Sequence, residues 1–182
     1  MTAREKDFLN TVFLDLETTG TDSQVDEVLE IAIIGRFSDS ESRPLLHSLC
    51  RPERVLEWSR AMSIHGISPE DVDSAPSFSS LLPTVASIIR GKNLVIYNAD
   101  FDTKFLPAEI LQEAQQISCC MKRFAEERSF PEWDENYQSW KWVKLSKACE
   151  EIGAHDNSWV EHTALGDAKA CRAVWRWLEC RK

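Results

Sequence analysis

Thr11-Val-Phe-Leu-Asp-Leu-Glu17 is a run of strand formers interrupted by two acids, and Thr19-Gly20 stops it. A strand has a side-chain period of two, so Asp15 and Glu17 project from one face while Leu14 and Leu16 project from the other. Two carboxylates side by side on a mostly apolar strand repel each other and lose hydration, which a divalent cation between them would relieve. Taken alone, the Asp-x-Glu pair reads equally well as a pair facing solvent.

Outward from this strand, the apolar run Val28 to Phe37 suits a second, buried strand, and Pro44 to Cys50 a third. The spacing is that of a meander of adjacent strands. The period then changes. Phe78, Leu81, Leu82, Val85, Ile88 and Ile89 recur at helical spacing, with Ser77 placed to cap and Gly91 to stop. Asn93 to Tyr97 has the length of a short strand, and Phe101 to about Gln115 reads as a helix delayed or bent by Pro107. Ile117 to Met121 is a candidate fifth strand, and Arg128 to Trp142, which lacks a clear period, a loop. Lys144 to Ile152, closed by Gly153, and Thr163 to Leu178 read as the last two helices. Strands first, then strands mixed with helices, predict an α/β layered fold with a mixed sheet. With no repeat, low-complexity tract or linker, residues 1–182 are expected to form a single domain.

The chain carries 30 acidic and 21 basic side chains for a formal charge of −9, so no global positive field draws it onto nucleic acid. Phosphate binding would have to be local, and bound cations among carboxylates can supply it. The six cysteines make no Cys-x-x-Cys pair and no zinc spacing, and Cys119 and Cys120 are adjacent. They read as reduced thiols of a cytoplasmic protein. The N-terminal MTAREKDFLN carries charges of both signs, unlike a signal peptide, and no stretch approaches the roughly 18 apolar residues of a membrane span, so a soluble protein without membrane attachment is expected.

Two further elements carry candidate chemistry. In Tyr97-Asn-Ala-Asp-Phe-Asp102 an apolar strand meets a helix start, where either Asp100 or Asp102 could serve simply as a capping acid. His162 and Asp167 lie at the entry to the last helix, and both can face one site only if His162 lies on the entering loop; alone, such a histidine is an ordinary surface residue. Together, four carboxylates suit hard cations such as Mg²⁺ or Mn²⁺, and a neutral histidine beside them can act as a general base toward water. That is equipment for in-line attack on a phosphodiester.

Val12-Phe-Leu-Asp-Leu-Glu-Thr-Thr-Gly20, Val95-Ile-Tyr-Asn-Ala-Asp-Phe-Asp102 and His162-Thr-Ala-Leu-Gly-Asp-Ala168 occur in the order of three family motifs, with Glu30-Ile-Ala on the second strand. In these the sequence resembles the DnaQ-like DEDDh 3′-to-5′ exonucleases of the ribonuclease H-like superfamily, the group of the epsilon proofreading subunit and exonuclease X. The likeness runs from about Val12 to Trp177. It implies a ribonuclease H-like five-stranded mixed sheet flanked by helices, two Mg²⁺ or Mn²⁺ ions, and release of nucleoside 5′-monophosphates from a 3′ end. The second motif's acid is the Asp after Phe, which selects Asp102 over Asp100. The implied metal ligands are Asp15, Glu17, Asp102 and Asp167, with His162 as proton acceptor. Ala61-Met-Ser-Ile-His-Gly-Ile67 resembles a segment beside the substrate terminus, so Thr18, His65, Asn98 and Phe101 carry over as the pocket for the terminal nucleotide. Phe101 could stack on a base, or equally be a core residue; His65 could be an ordinary turn residue.

The chain departs from the pattern at Tyr97, where many members have His, and at Cys119-Cys120-Met121, where many have an Asp-Thr pair. Neither change removes a catalytic group, but both bear on substrate preference. Trp133, Trp140, Trp142 and Trp159, near Lys141, Lys144 and Lys147, read chiefly as finishing a small hydrophobic core, with a single-strand platform as the alternative. The implied partner is the 3′ end of nucleic acid. Single-stranded DNA is favoured over RNA, because the oligoribonuclease branch commonly has Met where this chain has Thr18. The alternatives are an RNA 3′-end trimming enzyme, a hydrolase of small phosphoesters, or a silent scaffold with the same fold. With no added nucleic-acid domain, a protein partner or a homodimer would have to supply processivity.

Overall fold

The computed structural model describes residues 10–35, 44–154 and 162–181. The predicted first strand is β1 (Thr11–Thr18), followed by β2 (Val28–Gly35) and β3 (Leu46–Leu49). The helical region brings α1 (Ser59–His65), α2 (Pro69–Val72) and α3 (Phe78–Ile89), then β4 (Asn93–Ile96), α4 (Ala99–Asp102), α5 (Ala108–Leu111) and β5 (Gln116–Cys119). The chain ends with α6 (Cys120–Glu127), a hairpin of β6 (Trp133–Asp134) and β7 (Ser139–Trp140), α7 (Leu145–Ile152) and α8 (Ala164–Cys180).

The expected mixed sheet has five strands in the order β3-β2-β1-β4-β5. β1, β2 and β3 form the antiparallel meander, while β4 and β5 join parallel to β1 through helical crossovers. Alternation along β1 sorts the core into two layers. Val12, Leu14 and Leu16 pack with Ile31, Ile33, Leu94, Ile96 and the Val85–Ile89 side of α3. Phe13 lies on the opposite face with Ala32, Ile34, Val95 and Tyr97, covered by α6, α7 and α8. Asp15 and Glu17 share the parity of Phe13 and therefore look toward α8.

Small residues decide how closely α8 approaches. Ala164, Ala168 and Cys171, spaced four and three apart, are fully buried against the sheet, so the helix backbone can lie near β1 and a short Asp side chain can reach across. After Glu17 the β1–β2 register shifts, with Thr18 opposite Val28, and this bulge turns the chain into a tight loop. There the Asp26 carboxylate accepts from the Thr19 hydroxyl at 3.0 Å and the Asp22 N–H at 2.9 Å. A side chain at position 20 would collide with that carboxylate, which explains Gly20.

Several expectations need correction. Residues 101–115 do not form one helix: α4 stops at Asp102, and Pro107 stands at the N-cap of a separate α5, because proline cannot continue the N–H ladder. The fifth strand ends at Cys119, and the chain turns straight into α6, which the sequence does not predict and whose Cys120 and Phe124 are buried in the core that α8 covers. The stretch read as a loop contains the β6–β7 hairpin, and α1 and α2 were not foreseen. Ser77 holds the N-cap position of α3, but its hydroxyl pairs with Ser79 rather than with the helix backbone. The end of the second predicted strand, residues 36 and 37, lies outside the described residues. All six cysteines are free thiols. Among the described residues no helix is long and apolar enough to cross a membrane.

Candidate active site

β1 pairs with β4 only from Thr11 to Phe13, so beyond that point its edge is open toward the chain that follows β4. Asp102, at the end of α4, fills the opening: its Oδ1 accepts the Leu16 N–H at 3.1 Å, replacing a ladder partner. This bond buries the Asp102 side chain beside the acidic face of β1 and answers the choice between the two candidate acids. Asp100 points out to an exposed ion pair with Lys122 at 2.6 Å.

From the other side, α8 supplies Asp167 in its first turn, near the positive end of the helix dipole. Carboxylate oxygens of Asp15, Glu17 and Asp167 lie within 4.8 Å of one another, a spacing that fits a shared cation. Asp102 is not one of the three that close around that point; it stands alongside, near enough for its charge to act on Asp15 and Glu17.

The electrostatics follow from crowding. Burial first, then the charges of Asp102, Asp167, Glu17 and Glu30, hold Asp15 well above the ordinary carboxylate range. Burial and Asp167 push Glu17 up to about 8. Burial pushes Asp102 up to about 7 against the opposing backbone hydrogen bonds. Acids so arranged take up a hard divalent cation readily, since it removes both the repulsion and the desolvation.

His162 sits on the turn before α8, exposed, with a left-handed φ of 59°. It is therefore on the entering loop, as a shared site with Asp167 requires. Thr163 follows as N-cap, its hydroxyl accepting the Gly166 N–H at 3.1 Å. His65, at the end of α1, lies near enough to His162 for the two charges to interact. Its Nδ1 accepts the Ile67 N–H at 3.0 Å, so Nε2 carries the proton. That Nε2 is buried near the Thr18 backbone and forms no well-made hydrogen bond among the described residues. Burial lowers the pKa of His65, and neighbouring His162 adds to this against the opposite pull of Thr18 and Glu30.

Of the other predicted residues, Thr18 is buried at the bulge with its hydroxyl donating to the Gly20 carbonyl at 2.6 Å. Asn98 is exposed at the N-cap of α4. Phe101 is half-buried and packs on Phe105 with ring centroids 5.3 Å apart, which fits the core reading and leaves part of the ring uncovered. Tyr97 lies in the α8-side core, where its hydroxyl donates to the Val143 carbonyl at 2.7 Å. Trp133, Trp140 and Trp142 join neither buried layer, contrary to the core expectation. Trp133 and Trp140 meet edge-on across the hairpin and, with Trp142 and Ile117, line a groove of about 1050 Å³ along β5. This groove does not contain the carboxylates, so cavity size is no guide to the chemistry here. Trp159 lies outside the described residues.

One contributor entered the sequence pattern only as part of Glu30-Ile-Ala, with no role in the site. Glu30 is buried in β2 opposite Glu17, hydrogen-bonded to His47 and to the first turn of α8. The signal was a single acid within the otherwise apolar Val28-Leu-Glu-Ile-Ala-Ile-Ile34.

A mixed sheet that gathers acids from its central strand, the helix after the next strand and a covering helix presents a carboxylate cluster that could hold a cation, and relatives give the chain a family. Residues 12–174 match the RNase_T family, described as Exonuclease. The uncharacterized exonuclease CP81 of Escherichia phage 186 is 32% identical over 176 residues, covering 87% of this chain and 82% of that protein. The DNA polymerase III epsilon subunit of Rickettsia typhi is 35% identical over 103 residues, covering 56% of this chain and 44% of the subunit. Among solved structures, exonuclease X in complex with 5′ overhanging duplex DNA superposes with a TM-score of 0.71 at 20% identity, covering 94% of this chain and 92% of that one. Exonuclease I of E. coli with a dA16 oligonucleotide gives 0.72 at 22%, covering 94% and 41%. The chain belongs to the RNase_T exonuclease family, in the DnaQ-like group, and is an exonuclease.

Proposed function

We propose that the protein removes nucleoside 5′-monophosphates from the 3′ ends of single-stranded DNA, using two Mg²⁺ or Mn²⁺ ions, and that residues 1–182 act as one catalytic domain. The observation that carries this is the convergence of Asp15, Glu17 and Asp167 within 4.8 Å, with Asp102 beside them. Asp15, Glu17 and Asp167 would hold one ion, and Asp15 with Asp102 the other. When bound, the ions neutralise phosphate charge and make water a better nucleophile.

The chain's own groups do the rest. His162, at the exposed mouth, takes the proton of the attacking water. The buried His65 Nε2–H is a ready donor for an oxygen of the terminal nucleotide. Thr18 and Asn98 border that position, and the uncovered part of Phe101 offers a face for the terminal base. Relatives that act on DNA support that substrate: the epsilon subunit belongs to a DNA polymerase, and exonucleases I and X were solved with DNA. A protein partner or second copy holds the substrate during repeated cycles, in the cytoplasm.

The test incubates purified protein and Mn²⁺ with 3′- and 5′-labelled single- and double-stranded DNA and RNA and sizes the products. Mononucleotides released from the 3′ side, fastest from single-stranded DNA, are the expected result. Faster release from RNA would favour the RNA-trimming alternative, and no product from any substrate would overturn the proposal.

A further inference from the structure

The stretch from His162 to Asp167 has no strand to hold it, because it runs from a left-handed turn directly into α8. What locates it is a contact from the neighbouring strand β2, on the same face of the sheet that α8 covers. The Ala164 N–H, the first of the unpaired donors at the start of α8, donates to Oε2 of Glu30 at 2.9 Å. The other oxygen, Oε1, meets Nε2 of His47 on β3 at 2.7 Å. Glu30 is only 5% exposed and stands directly opposite Glu17 in the β1–β2 register.

We propose that Glu30 is a positioning residue for the exonuclease reaction, holding the His162–Asp167 stretch in place against Glu17 by capping α8 from β2, with His47 orienting its carboxylate. The inference rests on the exonuclease reading of the site. Three observations carry it. Among the described residues, the group that closes around a cation is Asp15, Glu17 and Asp167, and Glu30 is outside it with both oxygens otherwise engaged. An apolar residue would suit the rest of β2 but would leave the Ala164 donor unpaired, whereas a carboxylate at a helix start is bonded and favoured by the dipole. Finally, this chain carries the acid there although it lies across from another acid and adds to the repulsion on Glu17 and Asp15. Thr163 binds the Gly166 N–H, so the two caps hold different donors: one closes the turn on itself and the other fixes it to the sheet.

The experiment compares wild type with Glu30→Met, which keeps the volume and removes the acceptor, Glu30→Gln, which keeps one oxygen for Ala164, and His47→Ala. Melting temperature, exchange of the Ala164 amide, and kcat and KM on a 3′-labelled oligonucleotide with Mn²⁺ are measured where each variant is fully folded. Glu30→Met is expected to lower kcat by about 10- to 100-fold with KM changed by less than about threefold. Its Ala164 amide loses protection. Glu30→Gln recovers most of the rate and protection, and His47→Ala shifts both in the direction of Glu30→Met by less. Unchanged kcat in folded Glu30→Met, or equal losses in the Met and Gln variants, would overturn the positioning role while the wild type stays active. Should Glu30→Met fail to fold, His47→Ala decides: unchanged kcat and Ala164 exchange would overturn the role. An inactive wild type would sink the exonuclease reading, and the positioning role with it.

Discussion

Asp15, Glu17 and Asp102 work against the fold that holds them. Their pKa values are raised by burial and mutual repulsion, Glu17 to about 8 and Asp102 to about 7. An acid whose pKa is higher folded than unfolded contributes stability below its unfolded pKa, near 4, and that stability is lost as pH rises through the folded value. The metal-free melting temperature should therefore fall between about pH 5 and pH 8, and saturating Mn²⁺ should suppress the fall. A flat metal-free profile would contradict the assigned crowding. By the same reasoning, Asp15→Asn should abolish cleavage yet raise the metal-free melting temperature at pH 8. The rise is roughly 2–4 °C for each kcal/mol of repulsion relieved in a domain of this size. His162→Ala should behave differently, losing about two to four decades in rate while cation uptake, read by calorimetry, is retained.

At the scale of elements, alternation along β1 and the existence of α3, α7 and α8 were legible in the sequence, because each follows from local periodicity; the small-residue face of α8 became visible only in the packing. So were the carboxylates of β1, whose common face needs only a period of two. Asp102 was harder, since its distinction from Asp100 lies in a long-range bond to Leu16 that no local pattern announces. The start of α6 was hidden for a related reason: Ile117 to Met121 carries no turn or capping signal, and the strand stops at Cys119 where β4 does, a tertiary limit. The β6–β7 hairpin has only two residues in each strand, too few to show alternation. Phe124 lets the role of α6 be tested. It is fully buried between α6 and α8 and remote in sequence from every proposed ligand. Phe124→Ala should cost about 3–5 kcal/mol, read by denaturant unfolding, and leave the rate per folded molecule near wild type. A small stability loss would mean that α6 is not part of the α8-side core.

Across the whole molecule, the formal charge of −9 makes the attraction for a phosphate backbone depend on bound cations at one place rather than on a broad basic surface. The isolated protein should then release its substrate after few cleavages. With labelled oligonucleotide prebound and excess unlabelled strand added as a trap, products should be shortened by only a few nucleotides. Long uninterrupted degradation by the monomer would contradict this. The account as a whole stands on cation uptake by side chains brought from β1, the end of α4 and α8. Titrating the purified protein with Mn²⁺ by calorimetry at pH 7.5 tests it most directly. Uptake by wild type, accompanied by proton release and lost in Asp15→Ala, is the predicted result; no uptake, or equal uptake by Asp15→Ala, would contradict it.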